Sequence, residues 1–174
     1  MEQQPATVQM ARQGPAQQEE GELDSVLLVD PDMAMHEQVQ QTLHGIFVVR
    51  LARTAAAGLE SIERQRPDLL ISEVDLPDMS GLHLCEHLRA QPPTAGLPIL
   101  LLTTRAGIGE KVAGFMAGAD DYVVKPIDPR YFGARLRLLL RLKALDQNPP
   151  QPRSSSPPHP PSSPPSGPTG FGKD

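Results

Sequence analysis

The chain has 174 residues, of which 39% are apolar, which is enough for one domain with a hydrophobic core but hardly for two. Its net charge of −5 argues against a nucleic-acid-binding domain, because such domains usually carry a basic patch. No run of about 18 apolar residues and no signal-peptide pattern occur, so we expect a cytoplasmic protein that does not contact membranes.

The two ends of the chain differ in composition from its middle. Ten of the 20 prolines lie in the last 28 residues, 147–174, a segment that contains no Leu, Ile, Val or Met. Such a segment buries too little apolar surface to offset its ordering entropy, so we expect a disordered Pro/Ser-rich tail or linker. Residues 1–24, rich in Gln and Glu, are expected to form a disordered arm. The domain is therefore predicted over 25–146.

Five short apolar runs divide this domain. They are nearly continuous rather than alternating, which is typical of strands buried on both faces of a sheet. Strand alternating with helix five times predicts an α/β fold with a parallel sheet and helices on both faces. In chain order the runs are SVLLV (25–29), IFVVRL (46–51), DLLIS (68–72), PILLLT (98–103) and YVV (122–124).

The segments between the runs have helical spacing, and we expect one apolar stripe per helix to face the sheet. Gly118 follows the fourth helix, where a C-terminal cap is needed. The only cysteine, Cys85, lies between Leu84 and Leu88 and is expected to be a small buried apolar residue. The clearest stripes are Ile108, Val112, Phe115 and Met116 in the fourth helix, and Phe132, Leu136, Leu139 and Leu140 in the fifth.

Polar side chains stand at the carboxyl ends of four predicted strands. They are Asp30, Glu73, Thr103 and Lys125, after the first, third, fourth and fifth strands. In open α/β sheets, ligands bind at this edge. Two carboxylates, a hydroxyl and an ammonium in one crevice suit phosphate and divalent-cation chemistry.

Four segments have the order and spacing of a known family's motifs: LLVDPD (27–32), PDLLISEVDLPDMSG (67–81), LPILLLTT (97–104) and AGADDYVVKP (117–126). Through them, residues 25–145 resemble the receiver domain of two-component response regulators. The resemblance implies a flavodoxin-like, doubly wound five-stranded parallel sheet of order 2-1-3-4-5. It also implies a role in bacterial two-component signalling, which we expect to be non-enzymatic.

The resemblance assigns roles to the strand-end residues. Glu73, four residues before Pro77, occupies the position of the phospho-accepting aspartate. Asp75 corresponds to the residue whose backbone carbonyl helps to hold magnesium. Thr103 matches the switch hydroxyl and Tyr122 the switch aromatic.

The fifth strand contributes the last pair of family residues. Lys125 matches the phosphate-binding lysine. The Lys125–Pro126 peptide bond resembles one that is usually cis in the family, which the small cis penalty of X–Pro bonds permits.

Two positions depart from the family. The acceptor is Glu73 rather than Asp, and Pro31 stands where a second acidic residue usually ligates magnesium. Asp30 and Glu73 against Lys125 leave a net charge of −1, where three carboxylates and a lysine would leave −2. We therefore expect no cofactor, with Mg²⁺ binding weak or absent. The extra methylene moves the carboxylate by about 1.5 Å, so phosphorylation at Glu73 is not expected.

The longer side chain also carries its charge toward the space where phosphoryl oxygens would lie. There it can pair with Lys125 and accept a hydrogen bond from the Thr103 hydroxyl, a partial imitation of the phosphorylated state. This predicts an atypical receiver, or pseudo-receiver, that is phosphorylation-independent and held, fully or partly, in one signalling conformation. The sequence leaves open whether that conformation is active-like or inactive-like.

Simpler structural interpretations compete at several positions. Residues 30–32 can start the first helix, with Asp30 as the N-cap and Asp32 on the first turn. Tyr122 can be a packing residue, His36 is expected at the surface, and residues 120–121 are expected to form a solvated turn.

Three functions remain. The favoured one is a protein–protein interaction module that binds a signalling partner or a second copy through the surface of the fourth helix, fifth strand and fifth helix. The second is a receiver still phosphorylated by a histidine kinase or a small phosphodonor. The third is the receiver fragment of a longer regulator, whose Pro/Ser tail leads to a missing output domain.

Overall fold

Five strands alternate with five helices along residues 23–147, the part of the chain that the computed structural model describes. The elements are β1 (Ser25–Val29), α1 (Met33–Leu43), β2 (Val48–Ala52), α2 (Ala55–Arg64), β3 (Leu69–Ser72), α3 (Gly81–Arg89), β4 (Ile99–Thr103), α4 (Ile108–Met116), β5 (Asp121–Val124) and α5 (Pro129–Gln147).

The strands form one parallel sheet in the order β2-β1-β3-β4-β5. This confirms the predicted flavodoxin-like, doubly wound fold. The inner strands β1, β3 and β4 are almost entirely buried, which explains why their sequences are continuously apolar rather than alternating.

Helices cover both faces of the sheet, so alternate residues of one strand enter different cores. Val26 and Leu28 of β1 pack in a cluster with residues of α1 and α5, whereas Leu27 and Val29 pack with residues of α2 and α3. Cys85 of α3 is fully buried in the second cluster, as predicted. Burial raises the pKa of its thiol to about 12, so it stays protonated.

The ends of the described region differ slightly from the prediction. The predicted disordered arm (1–24) and tail (147–174) lie outside the described residues, apart from Leu23, Asp24 and Gln147. The Asp24 carbonyl accepts a hydrogen bond from the Val48 amide at 3.0 Å, and Gln147 is the last residue of α5.

The apolar stripe predicted for α5 faces the sheet, with Phe132, Leu136 and Leu139 buried. The stripe predicted for α4 does not. Ile108 and Met116 are 82% and 83% exposed, and Val112 and Phe115 are about half exposed. That prediction was wrong.

Small residues explain the orientation of α4. Gly114 is the one buried residue of this helix, and Ala117, which caps it, is buried too. A Cβ atom at Gly114 would lie 2.8 Å from a ring carbon of Tyr122 and 3.0 Å from Leu101, so the glycine lets the helix approach the sheet closely. The large apolar side chains of α4 therefore point away from the sheet. Gly118 ends the helix with a φ of +100°, as the cap prediction requires.

Residues 120–121 are not the solvated turn predicted from sequence. Asp120 accepts hydrogen bonds from Arg89 and from the Ile99 amide, each at 2.9 Å, and pairs with Lys143 at 2.6 Å. Asp121 begins β5 and binds Arg135, which holds the pKa of its half-buried carboxyl below the usual value despite the opposing effect of burial. Two adjacent acids that resemble a turn in the sequence can be structural when basic residues of helices far along the chain reach them.

Candidate functional site

Three charged side chains meet where β1, β3 and β5 end. The Lys125 ammonium donates to Oδ2 of Asp30 and to Oε2 of Glu73, each at 2.7 Å. The side chains are 12%, 1% and 7% exposed, in that order, so the cluster is largely shielded from water. The Lys125–Pro126 peptide bond, which follows directly, is cis.

The remaining carboxylate oxygens face backbone amides. Oδ1 of Asp30 accepts from the Asp32 amide at 2.8 Å. Oε1 of Glu73 accepts from the Val74 amide at 2.7 Å and from the Asp75 amide at 3.3 Å. Each of the four carboxylate oxygens therefore has at least one donor from the chain itself.

The cluster favours a charged lysine. Burial opposes the charge of Lys125, but hydrogen bonds and attraction from Asp30 and Glu73 outweigh it, so the pKa of Lys125 is raised. With both acids ionised, the cluster carries a net charge of −1.

These residues do not form a donor set that fits Mg²⁺. Magnesium requires several oxygen ligands in octahedral geometry, and Pro31 offers no side-chain oxygen at the position that would supply one. The oxygens of Asp30 and Glu73 are already bound to Lys125 and to backbone amides. Within residues 23–147, no group of three or more His, Cys, Asp or Glu side chains is arranged to hold a metal ion.

Thr103 lies at the end of β4 and is fully buried. Its Oγ1 accepts from the Arg105 amide at 3.3 Å. Among the hydrogen bonds of residues 23–147, none joins Thr103 to Glu73, unlike the contact expected from the sequence. The Glu73 carboxylate is instead held by Lys125 and by the Val74 amide.

Asp75 and Tyr122 both contact Arg105, a residue that the sequence analysis did not single out. The Arg105 guanidinium binds both carboxylate oxygens of Asp75, at 2.7 and 2.8 Å, and the Arg105 carbonyl accepts the Tyr122 hydroxyl at 2.9 Å. Burial raises the pKa of Tyr122. A signal for this pair was present, because Asp75 and Arg105 each lie two residues after a strand-end residue, Glu73 and Thr103.

The start of α1 also differs from the prediction. Asp32, not Asp30, is the N-cap: its carboxylate accepts from the Ala34 amide at 2.9 Å and the helix begins at Met33. The Asp30 side chain is thereby left to Lys125. His36, expected at the surface, is buried, and its Nε2 lies 2.7 Å from the carbonyl oxygen of Asp30.

A parallel sheet of this order, with acids after β1 and β3 and a lysine after β5, is the arrangement of a receiver-type signalling domain. The family model described as "Response regulator receiver domain" matches residues 26–137. The chain belongs to this family, whose members act in two-component signalling.

Known proteins resemble the chain over this domain. The "Response regulator MprA" of Mycobacterium sp. (strain KMS) is 39% identical over 128 residues, 73% of this chain and 55% of the relative. The "Probable transcriptional regulatory protein TcrX" of Mycobacterium tuberculosis (strain ATCC 25618 / H37Rv) is 39% identical over 123 residues, 70% of this chain and 52% of the relative. The chain thus spans about half the length of these curated relatives.

A solved structure gives the same result for the fold. The CheY-like response regulator receiver domain protein from Methanospirillum hungatei JF-1 has a TM-score of 0.65 and 31% identity, covering 71% of this chain and 98% of that one. Within residues 23–147, no helix is both long and apolar enough to span a membrane.

Proposed function

We propose that this domain is an atypical receiver that signals without phosphorylation, through protein–protein contacts rather than catalysis. Glu73 supplies a permanent negative charge at the acceptor position. Lys125, at the position of the family's phosphate-binding lysine, neutralises part of that charge from inside the protein.

The observation that carries the proposal is that the carboxylate oxygens in the pocket already have hydrogen-bond donors within the chain. The carboxylate oxygens of Asp30 and Glu73 all accept hydrogen bonds from the chain, and Pro31 adds no ligand. Phosphoryl transfer depends on positioning and on cation charge, and both are unfavourable with this set of residues. Weak or absent Mg²⁺ binding is part of the proposal.

Replacing Glu73 by Gln tests the role of the charge, because the substitution keeps the shape of the side chain. We expect the amide resonances of Thr103, Arg105 and Tyr122 to shift in an NMR spectrum of the whole chain. Glu63→Gln, on the exposed side of α2, is the matched control and should shift only its neighbours. Unchanged resonances at Thr103 and Tyr122 in the Glu73 variant would refute a signalling role for the charge.

Restoring the family's residues tests phosphorylation independence. The parent chain should not respond to Mg²⁺ with beryllofluoride, whereas Pro31→Asp combined with Glu73→Asp should respond with large shifts around Thr103 and Lys125. A parent response at low millimolar Mg²⁺ would instead support the alternative, a receiver still phosphorylated by a histidine kinase or a small phosphodonor.

The surface of α4, β5 and α5 is the proposed docking face, for a second copy or a signalling partner. Four apolar residues of α4 are exposed there, and α5 adds an exposed stripe at helical spacing. Several large apolar side chains exposed on neighbouring elements commonly mark an interaction site. The residues are Ile108, Val112, Phe115 and Met116 on α4, and Tyr131, Leu138, Leu142 and Leu145 on α5.

A second candidate role is that of the receiver part of a longer regulator. The length of the relatives favours it, because the chain spans about half of each. Sequencing the reading frame beyond the codon for Asp174 decides between the two: an output domain would establish the second role, and a stop codon would exclude it.

A further inference from the structure

The ion pair of Asp75 and Arg105 joins two loops at the mouth of the pocket. Asp75 belongs to the loop between β3 and α3, and Arg105 to the loop between β4 and α4. The pairing is bidentate, with Nε 2.8 Å from Oδ2 and Nη2 2.7 Å from Oδ1. Because the planar guanidinium fork fixes direction as well as distance, the pair sets how the two loops lie relative to each other.

The backbone of Arg105 determines whether Tyr122 has a hydrogen-bond partner. Its carbonyl accepts the Tyr122 hydroxyl at 2.9 Å, and its amide donates to Thr103 at 3.3 Å. Tyr122 is only 6% exposed. A buried hydroxyl that loses its acceptor is costly, so a displacement of the Arg105 carbonyl favours rotation of the ring toward water.

Tyr122 in turn supports α4. Its ring lies under Gly114, where an added Cβ would meet the ring at 2.8 Å. An open cleft of about 370 Å³ adjoins this contact and is lined by Val74, Leu82, Arg105, Glu110, Ala113 and Tyr122, so there is space for the Arg105 side chain to move. A continuous set of contacts therefore runs from the loop after Glu73 to the helix that carries the exposed apolar residues.

We propose that the Asp75–Arg105 ion pair is a latch that holds Tyr122 beneath α4, with Arg105 as the positioning residue. The inference deepens the proposed function and rests on it for one point only, that the α4–β5–α5 face is the signalling surface. Arg105 and Asp75 are 49% and 56% exposed, so dissolved salt or a partner's charged group can reach the pair and open it.

A charge swap tests the latch. The chain has two tyrosines and no tryptophan, so in a Tyr131→Phe background the tyrosine fluorescence comes from Tyr122 alone. Arg105→Asp and Asp75→Arg, each alone, should raise the quenching of that fluorescence by acrylamide severalfold. The double variant, with the charges exchanged, should return it to the background value. Arg130→Ala, which removes the exposed pair with Asp128, is the control and should change nothing.

Thermal unfolding midpoints of the same samples separate the latch from a general loss of structure. We expect the single variants to keep a midpoint near that of the background while Tyr122 becomes accessible, and rising salt to increase quenching in the background but not in the single variants. Unchanged quenching in both single variants, or a double variant that is not restored, overturns the latch.

Failure of the latch and failure of the proposed function give different experimental results. If Glu73→Gln has no effect while the charge swap behaves as expected, the latch stands and the fixed-charge role of Glu73 falls. If Glu73→Gln shifts the resonances of Thr103 and Tyr122 but the charge swap leaves the quenching unchanged, only the latch is refuted.

Discussion

Lys125 is the residue on which the charge balance of the pocket depends. Its ammonium is the shared partner of two buried carboxylates, Asp30 and Glu73, which approach it from different strands. Removing one partner of a buried ionic cluster is far more costly than its net contribution suggests, because the remaining charges stay behind without compensation.

Lys125→Met should therefore destabilise the domain by about 3 kcal/mol, measured as the free energy of unfolding in urea. The methionine keeps the apolar stem but leaves Asp30 and Glu73 facing each other. Lys111→Met on the surface of α4 is the matched control and should leave the free energy nearly unchanged. A loss below about 1 kcal/mol in the Lys125 variant would mean that water already compensates the two acids.

The pH dependence of stability follows from the same contacts. Burial opposes the charge of Lys125, but the two carboxylates outweigh it and raise its pKa above the ordinary value of 10.5. A base with a raised pKa contributes stability that is fully present below the unfolded pKa and is lost as pH rises through the folded pKa. The difference in unfolding free energy between the parent and Lys125→Met should thus be constant up to about pH 10 and shrink above it. A constant difference up to pH 12 would contradict the assignment.

At the scale of elements, Arg89 connects four parts of the chain. From the end of α3 it donates to the carbonyls of Leu97 at 2.7 Å and Gly118 at 2.9 Å, and it binds Asp120, which also pairs with Lys143 of α5. Arg89 thus binds the α3–β4 loop and the turn before β5, and Asp120 extends the network to the last helix.

Arg89→Ala should lower the free energy of unfolding by about 2–3 kcal/mol, because several carbonyls and a mostly buried carboxylate lose a charged donor. Arg64→Ala removes an exposed pair with Glu60 on α2 and should have no measurable effect. Equal effects of the two substitutions in a denaturant titration would show that the Arg89 contacts contribute no more than a surface pair.

The comparison of α4 and α5 shows what sequence patterns can and cannot predict. Both carry apolar residues at i, i+4, i+7 and i+8, yet α5 buries its stripe and α4 exposes it. The spacing of apolar residues identifies a helix and its apolar side. Which side of the helix faces the sheet, however, depends on how closely the helix backbone can approach the sheet. Gly114 and Ala117 permit that approach, and nothing in the local pattern predicts it.

In the site too, some features could be predicted from the sequence and others could not. Asp30, Glu73, Thr103 and Lys125 were predictable because parallel strands end at one edge of a sheet. The contact between Asp75 and Arg105 was not predicted. Their positions, two residues after Glu73 and Thr103, place both at the same edge of the sheet, but the sequence does not show that side chains 30 residues apart on separate loops reach each other. The burial of His36 also depends on tertiary packing that the sequence of α1 does not reveal.

At the scale of the whole molecule, α4 gives the domain a side that is rich in exposed apolar residues. Its four large apolar side chains are at least half exposed, and the helix begins three residues after Arg105 of the proposed latch. A stable contact through this side would bury them.

Ile108→Glu combined with Met116→Glu should abolish self-association or partner binding through this face without loss of stability, because both side chains are more than four-fifths exposed. Sedimentation equilibrium over a range of concentrations measures the association, and thermal unfolding measures the stability. Val48→Glu, half exposed on the opposite edge of the sheet, is the control. Identical association in all three proteins would exclude the α4 side as the docking face.

The fixed carboxylate of Glu73 has a consequence for regulation in the cell. An ordinary receiver is switched on by a donor and switched off by hydrolysis, so its output reports recent events. Under the proposed function, a charge built into the polypeptide cannot be added or removed in this way. The signal then follows how much of the protein is present, and synthesis and degradation become the means by which its output rises and falls.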